Sequence, residues 1–529
     1  METKDTKMQN GTVRRLSFVR LAISVLAVIA IIGSAATSFA DWQQSAELGK
    51  TGFAPWFAAY VDVTSTPTYP FEQYGSTAEL NNAVLAFIVS SPAQACTPTW
   101  GGQYTLDSAG EMLDLDRRIA RLEQQGGRVA ISFGGLLNSE LAVKCTDAAQ
   151  LAKAYKSVID RYSVSTIDLD LEGDGLNSAD AVKRRAAVIA ELQKDYRSEG
   201  KALAVWVTLP VTPQGLSKEG TDAVAEMLSS GVDLAGVNAM TMDYGQALNA
   251  NDSMAAASEK ALLETHRQLG ILYSEAGINL NSDSLWRKIG ATPMIGQNDI
   301  ADEVFTPDDA VELNKYAFRV GIGRMSMWSA NRDVACGKNY VNVKVVSDVC
   351  SGVDAGPFAF VHALGQGFVG DIIQNATIVT VADPDSNKPI VDDPLTSPYP
   401  VWEQSAVYLK DAKVVWHGNV YQAKWWTKND VPDNPVLQSA DTPWQLIGPV
   451  LPGDKPVKLL TLPAGTYPDW RGEAIYNEGD RVIFNGMPYE AKWWNQGQSP
   501  AAAAVDPDNS PWIILTQEQI EAIREARGL

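Results

Sequence analysis

Residues Ser165–Gly175 read STIDLDLEGDG, with Asp168, Asp170 and Glu172 at alternate positions and Ile167, Leu169 and Leu171 between them. Successive side chains of a strand point to opposite faces, so the three acids form one row and the three aliphatics the other. Carboxyl groups lined up in this way raise one another's proton affinity and titrate as a set. The outermost, Glu172, is then suited to hold a proton near neutrality and deliver it as a general acid. An acidic, solvated edge strand is one alternative. A calcium loop is another, but its twelfth position is Ala179 and leucines occupy intervening sites, which leaves it short of ligands.

Such a row needs a frame that points it at a substrate. Strand patterns recur at 56–63, 83–90, 128–133, 166–172, 202–209, 233–242, 291–296 and 323–328, with helical stretches such as 148–162 and 179–198 between them. Eight strands each leading into a helix predict an α/β fold, a (β/α)8 TIM barrel over residues 50–370. An open doubly wound sheet is the rival, but no GxGxxG turn follows the first strand. In the barrel the acid row is the fourth strand, with the acids inward and Glu172 at the C-terminal end, where barrel active sites lie.

The rest of the chain narrows the possibilities. A formal charge of −20 opposes nucleic acid or an anionic membrane as partner. The three histidines, His266, His362 and His417, are scattered and none lies in a Cys/His cluster, which disfavours a histidine metal site; no metal or cofactor is expected. Lys4, Lys7, Arg14, Arg15 and Arg20 precede an apolar run and then Ser38-Phe39-Ala40, the pattern of a signal peptide over 1–40 cleaved before Asp41; an uncleaved anchor is the alternative. Secretion into an oxidising medium suits two disulfides, and the spacing favours Cys96–Cys145 and Cys336–Cys350 among the three pairings that four cysteines allow.

Residues 371–399, rich in Asp, Pro, Asn and Ser, form a linker, and an internal repeat follows. Trp402, Tyr408, Gly418, Tyr421, Lys424, Trp425, Trp426 and Trp444 each recur 68 positions later, as Trp470, Tyr476, Gly486, Tyr489, Lys492, Trp493, Trp494 and Trp512. Two copies of one small β-rich module are therefore expected, at 400–447 and 469–515, joined by a linker at 448–468 and followed by a tail at 516–529. Nine of the 15 tryptophans lie here, more than so small a core can bury, so about half should face a ligand. Exposed aromatic faces on an exported module suit the C–H faces of sugar rings.

Asp168-Leu-Asp170-Leu-Glu172 resembles the DxDxE signature of family-18 glycoside hydrolases, the chitinases and their relatives. Ser132-Phe133-Gly134-Gly135 resembles their SxGG motif at the end of the third strand. Met240-Thr-Met242-Asp243-Tyr244 is similar to their sixth-strand Met-x-Tyr-Asp motif, and Trp328 to the tryptophan flooring the cleavage subsite. This chain has Ser165-Thr166 where the family often has Asp-Gly, and Met242 where many members have Tyr. The repeats resemble the AKWW-type chitin-binding modules of families 5 and 12, with Tyr421, Trp425, Trp426, Tyr489, Trp493 and Trp494 as ligand-facing aromatics.

The resemblance implies a secreted, monomeric chitinase whose partners are chitin and chitooligosaccharides. Glu172 protonates the glycosidic oxygen, the substrate's 2-acetamido oxygen attacks its own anomeric carbon, and Asp170 accepts the acetamido N–H. Asp168 shares a proton with Asp170, Asp243 and Tyr244 hold the acetamido group, and Trp328 lies under the sugar. The short interval between the seventh and eighth strands suggests an open groove and endo-type cutting. An endo-N-acetylglucosaminidase of glycoprotein glycans would share the acid row, and a non-hydrolytic chitin-binding protein would share the modules.

Overall fold

In the strand of the acid row the aliphatic side pays for the ordering: Ile167, Leu169 and Leu171 are all fully buried. The computed structural model describes residues 54–372 and 392–529, apart from 78, 279, 439, 452, 457–461, 485–486 and 501–508. The expected signal peptide, the first residues of the barrel segment, most of the first linker and part of the second lie outside the described residues.

Nine extended segments frame the first part of the chain. They are β1 (Trp56–Phe57), β2 (Ala59–Asp62), β3 (Asn82–Ser90), β4 (Arg128–Gly134), β5 (Thr166–Asp170), β6 (Ala204–Thr212), β7 (Leu234–Met240), β8 (Ile289–Thr292) and β9 (Arg324–Met325). Parallel pairings run from β2 to β3, β4, β5, β6, β7, β8 and β9 in turn, and β9 pairs with β1. Only Ala58 separates β1 from β2, so the two are one strand and the ring of pairings returns to its start. Closure leaves no free edge in the ring.

The alternating pattern sends even-numbered residues of most strands inward. Trp56, Ala58, Tyr60, Val84, Ala86, Ala130 and Trp206 form one buried cluster, with Phe87 and Trp328 packed against it. The main connecting helices are α1 (Leu115–Gln124), α2 (Ala148–Tyr162), α3 (Ala179–Ser198), α4 (Lys218–Ser229), α5 (Met254–Glu275) and α6 (Pro307–Val320). The ends of α6 show why it starts and stops where it does. Thr306 and Asp309 form a reciprocal capping box at one end, and Gly321 closes the other at φ 82°. Both expected disulfides are present, Cys96–Cys145 and Cys336–Cys350.

The described residues group into two compact units: one takes residues up to 211, 230–259 and 286–380, the other 212–229, 260–285 and 381–529. The second therefore includes α4 and part of α5 as well as the C-terminal region, a division that the sequence pattern does not suggest.

In the C-terminal region one three-stranded plan occurs twice. The first is β10 (Lys413–Trp416), β11 (Asn419–Ala423) and β12 (Trp444–Pro449); the second is β13 (Arg481–Phe484), β14 (Met487–Ala491) and β15 (Trp512–Ile514). Their cores use equivalent positions: Val414, Tyr421, Ala423 and Trp444 in one, Val482, Tyr489, Ala491 and Trp512 in the other. Even single hydrogen bonds repeat. The Trp444 indole N–H donates to the Asp430 carbonyl at 2.9 Å and that of Trp512 to the Gln498 carbonyl at 2.7 Å. The tail is helix α7 (Gln517–Arg527), whose Ile520 is buried with Leu515 and Leu462.

Candidate active site

Asp168 and Asp170 project from β5 into the ring, and Asp168 is fully buried. Burying a carboxylate is costly unless charge and hydrogen bonds compensate. Here four donors converge on it. Arg324 Nη1 reaches Oδ1 at 2.5 Å and Thr208 Oγ1 the same oxygen at 2.7 Å, while the Tyr60 hydroxyl and Ser132 Oγ reach Oδ2 at 2.8 and 2.7 Å. Arg324 is itself 1% exposed and its guanidinium lies 5.1–5.5 Å from the rings of Trp56, Tyr60 and Trp206. Asn238 completes the layer through Thr208 and Thr292 at 3.0 and 2.7 Å. Both oxygens of Asp168 are thus engaged by these four donors.

Asp170 differs in kind. It is buried, yet its Oδ1 has no hydrogen-bond partner among the described residues. Burial, then the neighbouring Glu172 and Asp168, push its proton affinity well above the usual carboxylic range, with Arg324 acting in the opposite direction. Glu172 stands just beyond the end of β5 with extended backbone, φ −133° and ψ 165°, so the alternation carries through to it. Half-buried, Glu172 has its pKa pushed up to about 7 by desolvation and then by the charges of Asp243 and Asp299. It holds its proton below about pH 7 and loses it above, so an activity that needs Glu172 as a proton donor falls on the alkaline side of that value. Asp299→Asn removes one of the charges that favour the protonated form. The alkaline limb of kcat/KM should move to lower pH in this variant; a limb that stays or moves up would refute the electrostatic assignment.

The glycines of the third-strand motif are dictated by crowding. Gly134 has φ 108°, and a Cβ there would fall 2.0 Å from the Asp170 carbonyl oxygen. Gly135 has φ 81°, its N–H donates to that carbonyl at 3.0 Å, and a Cβ would meet the Phe87 ring at 2.9 Å. Phe87 in turn stacks on Trp328 with centroids 5.4 Å apart and planes 20° from parallel, and Trp328 meets Tyr60 edge-on at 6.0 Å. The aromatic floor and the acid row are thus joined through the same glycines.

Met240 ends β7, and the segment after it is held by the loop that follows β8. Asp243 sits at φ 49°, its N–H donates to Asn298 Oδ1 at 3.2 Å, and its Oδ1 accepts the Ile300 N–H at 3.1 Å. Glu303 accepts the N–H groups of Tyr244 and Gly245 at 2.9 and 2.6 Å. Tyr244 needs correcting as a ligand-holding residue. It is 5% exposed, and its hydroxyl pairs with Ser258 Oγ of α5 at 3.0 Å, so packing against the helix takes up the phenol. Sequence reasoning missed Arg324, Asn298, Asp299 and Glu303. Arg324 shares the inward alternation of Ser326 and Trp328, which was a usable signal; the loop residues offered none.

In the C-terminal region the tryptophans divide as their number demands. Trp444 and Trp512 are 2% and 0% exposed, whereas Trp425, Trp426, Trp493 and Trp494 are 44%, 40%, 42% and 59% exposed. Lys424 Nζ lies 4.7 Å from the Trp425 ring centre, and Lys492 Nζ 4.5 Å from that of Trp493. Tyr421 and Tyr489 are a second correction. Each is 8% exposed within its core, because strand alternation turns it inward with Val414 or Val482. Among the described residues no group of three or more His, Cys, Asp or Glu is arranged to hold a metal ion.

Comparison with known proteins places this geometry. The model of carbohydrate-binding module family 5/12 matches residues 469–512. A probable bifunctional chitinase/lysozyme of Escherichia coli (strain K12) is 33% identical over 311 residues, 57% of this chain and 34% of that protein. Endochitinase 11 of Metarhizium anisopliae is 32% identical over 306 residues, 56% of each chain. The chain thus spans about a third of the first relative and about half of the second. The catalytic domain of a hyperthermophilic chitinase from Pyrococcus furiosus is 28% identical with a TM-score of 0.51, covering 60% of this chain and 97% of that one. The barrel is accordingly similar to the catalytic domains of chitinases, and residues 469–512 after it match a family 5/12 carbohydrate-binding module.

Proposed function

We propose that this chain is a secreted chitinase that cuts β-1,4 bonds between N-acetylglucosamine units with retention of configuration, the substrate's own acetamido group serving as nucleophile. The observation that carries this proposal is the contrast within the acid row. Glu172 keeps a proton up to about pH 7, beside an Asp170 whose Oδ1 is buried and unpartnered. Glu172 donates its proton to the glycosidic oxygen as the C–O bond breaks, and the acetamido carbonyl oxygen bonds to the anomeric carbon to give an oxazolinium. Asp170 accepts the acetamido N–H through a carboxyl oxygen as positive charge develops beside it. Asp168, held by Arg324, Thr208, Tyr60 and Ser132, fixes the inner end of the row. Glu172 then takes a proton from the water that opens the oxazolinium. The internal nucleophile is already in place on binding, which removes most of the entropic cost of the attack. Asp243 lines the same end of the barrel, and Trp328 is the platform for the ring.

Two further features support the finer points. Residues 293–323, between β8 and β9, contain only a short strand pair, Gly296–Gln297 with Val304–Phe305, and α6, which favours an open groove and internal cutting. The two C-terminal repeats present matching tryptophan pairs, and two weak sites on one chain raise avidity by about 10²–10⁴ when both engage. The positively charged, apolar pattern of residues 1–40 supports export. The test is a comparison of substrates. N-acetylglucosamine oligomers should be hydrolysed, and their deacetylated counterparts and cello-oligosaccharides should not; turnover of either of the latter at a similar rate would exclude substrate assistance.

A further inference from the structure

Behind the acid row lies a buried ion pair that the reaction does not touch. Arg185 of α3 and Glu140, in the loop after β4, are 0% and 2% exposed in their side chains and meet at 2.9 Å. The same Arg185 nitrogen, Nη2, donates to the Gly175 carbonyl at 2.7 Å. Gly175 belongs to the turn that Glu172 starts: its N–H donates to the Glu172 carbonyl at 2.8 Å. Glu140 is fixed independently, its Oε2 accepting the Ala142 N–H at 2.8 Å and its Oε1 the Tyr155 hydroxyl of α2 at 2.5 Å. It also lies beside the glycines that flank the acid row, because a Cβ on Gly134 would come within 3.5 Å of Glu140 Cγ, and one on Gly175 within 3.4 Å of Glu140 Cβ.

A buried ion pair adds little net stability over apolar side chains of the same volume, so its effect here is sought in what it fixes. It joins two helices, the loop that follows Gly134 at the end of β4, and the turn carrying Glu172. We propose that Glu140 and Arg185 are positioning residues for the general acid: by holding the Gly175 carbonyl they set where the Glu172 carboxyl stands relative to the glycosidic oxygen. This rests on the assignment of Glu172 as proton donor.

The test reads the demand for acid rather than activity alone. A sugar leaving group needs its oxygen protonated as it departs, whereas 4-nitrophenolate leaves with little help. Each full-length variant, Arg185→Lys and Glu140→Gln, is assayed on chitotetraose and on 4-nitrophenyl chitobioside, and the ratio of the two kcat/KM values is taken. That ratio does not depend on how much of the preparation is folded. In both variants it should fall, by about 10- to 100-fold, the loss that a misplacement of about 1 Å brings. An unchanged ratio in either variant, whether or not both activities drop together, overturns the proposal and leaves the pair a packing feature. Glu172→Gln in the same assay separates the two claims: if its ratio does not fall, it is the donor assignment that fails.

Discussion

Replacing Glu172 by glutamine should lower turnover of soluble chitin oligomers by about 10²–10⁴-fold, the usual contribution of a general acid. Glutamine keeps the shape and the hydrogen-bonding reach of the side chain but has no acidic proton to give. Retention on insoluble chitin should be unchanged, since we assign it to Trp425, Trp426, Trp493 and Trp494, which follow β11 and β14 and are far from Glu172 in sequence. Changing those four tryptophans to alanine should do the reverse, releasing the protein from insoluble chitin while the oligomers are still cleaved. Near-normal turnover by Glu172→Gln in a preparation free of wild-type enzyme would remove this residue from the chemistry.

Asp170→Asn should be nearly as damaging, with a loss in kcat of about 10²–10³-fold, comparable to the removal of an electrostatic group aimed at developing charge. The change is isosteric, so the packing around β5 survives. What is lost is the carboxylate facing the acetamido nitrogen as positive charge appears there. Because that charge exists only in the transition state and the intermediate, KM should move little while kcat falls. A raised KM with unchanged kcat would instead make Asp170 a ground-state binding residue.

Local periodicity carried far in this chain because the chemistry was written on it. The alternation of Asp168, Asp170 and Glu172 with three aliphatics placed the row correctly, and the helices at 148–162 and 179–198 coincide with α2 and α3. The 68-residue repeat is reproduced down to single hydrogen bonds of Trp444 and Trp512. Long-range partners were not legible. Arg324 is 156 positions from Asp168, and nothing near either residue says that the two meet. Without that pair the three acids look only mutually repelling; with it, Asp168 has an arginine and three hydroxyls as partners, while Asp170 Oδ1 has none among the described residues. Tyr244, Tyr421 and Tyr489 failed for a common reason. A tyrosine that ends a motif can bury its ring and satisfy its hydroxyl inside the protein, as Tyr244 does with Ser258, and sequence spacing does not distinguish that from a ring offered to a ligand.

Substrate assistance is the central claim, and the stereochemistry of the first product tests it most directly. Attack by the acetamido oxygen from below the ring, followed by water from above, replaces the β bond by a β bond. Chitooligosaccharide cleaved in an NMR tube and recorded before mutarotation should show newly formed reducing ends as the β-anomer, relaxing afterwards to the equilibrium mixture. New ends that emerge first as the α-anomer would mean a single displacement by water and would contradict the account.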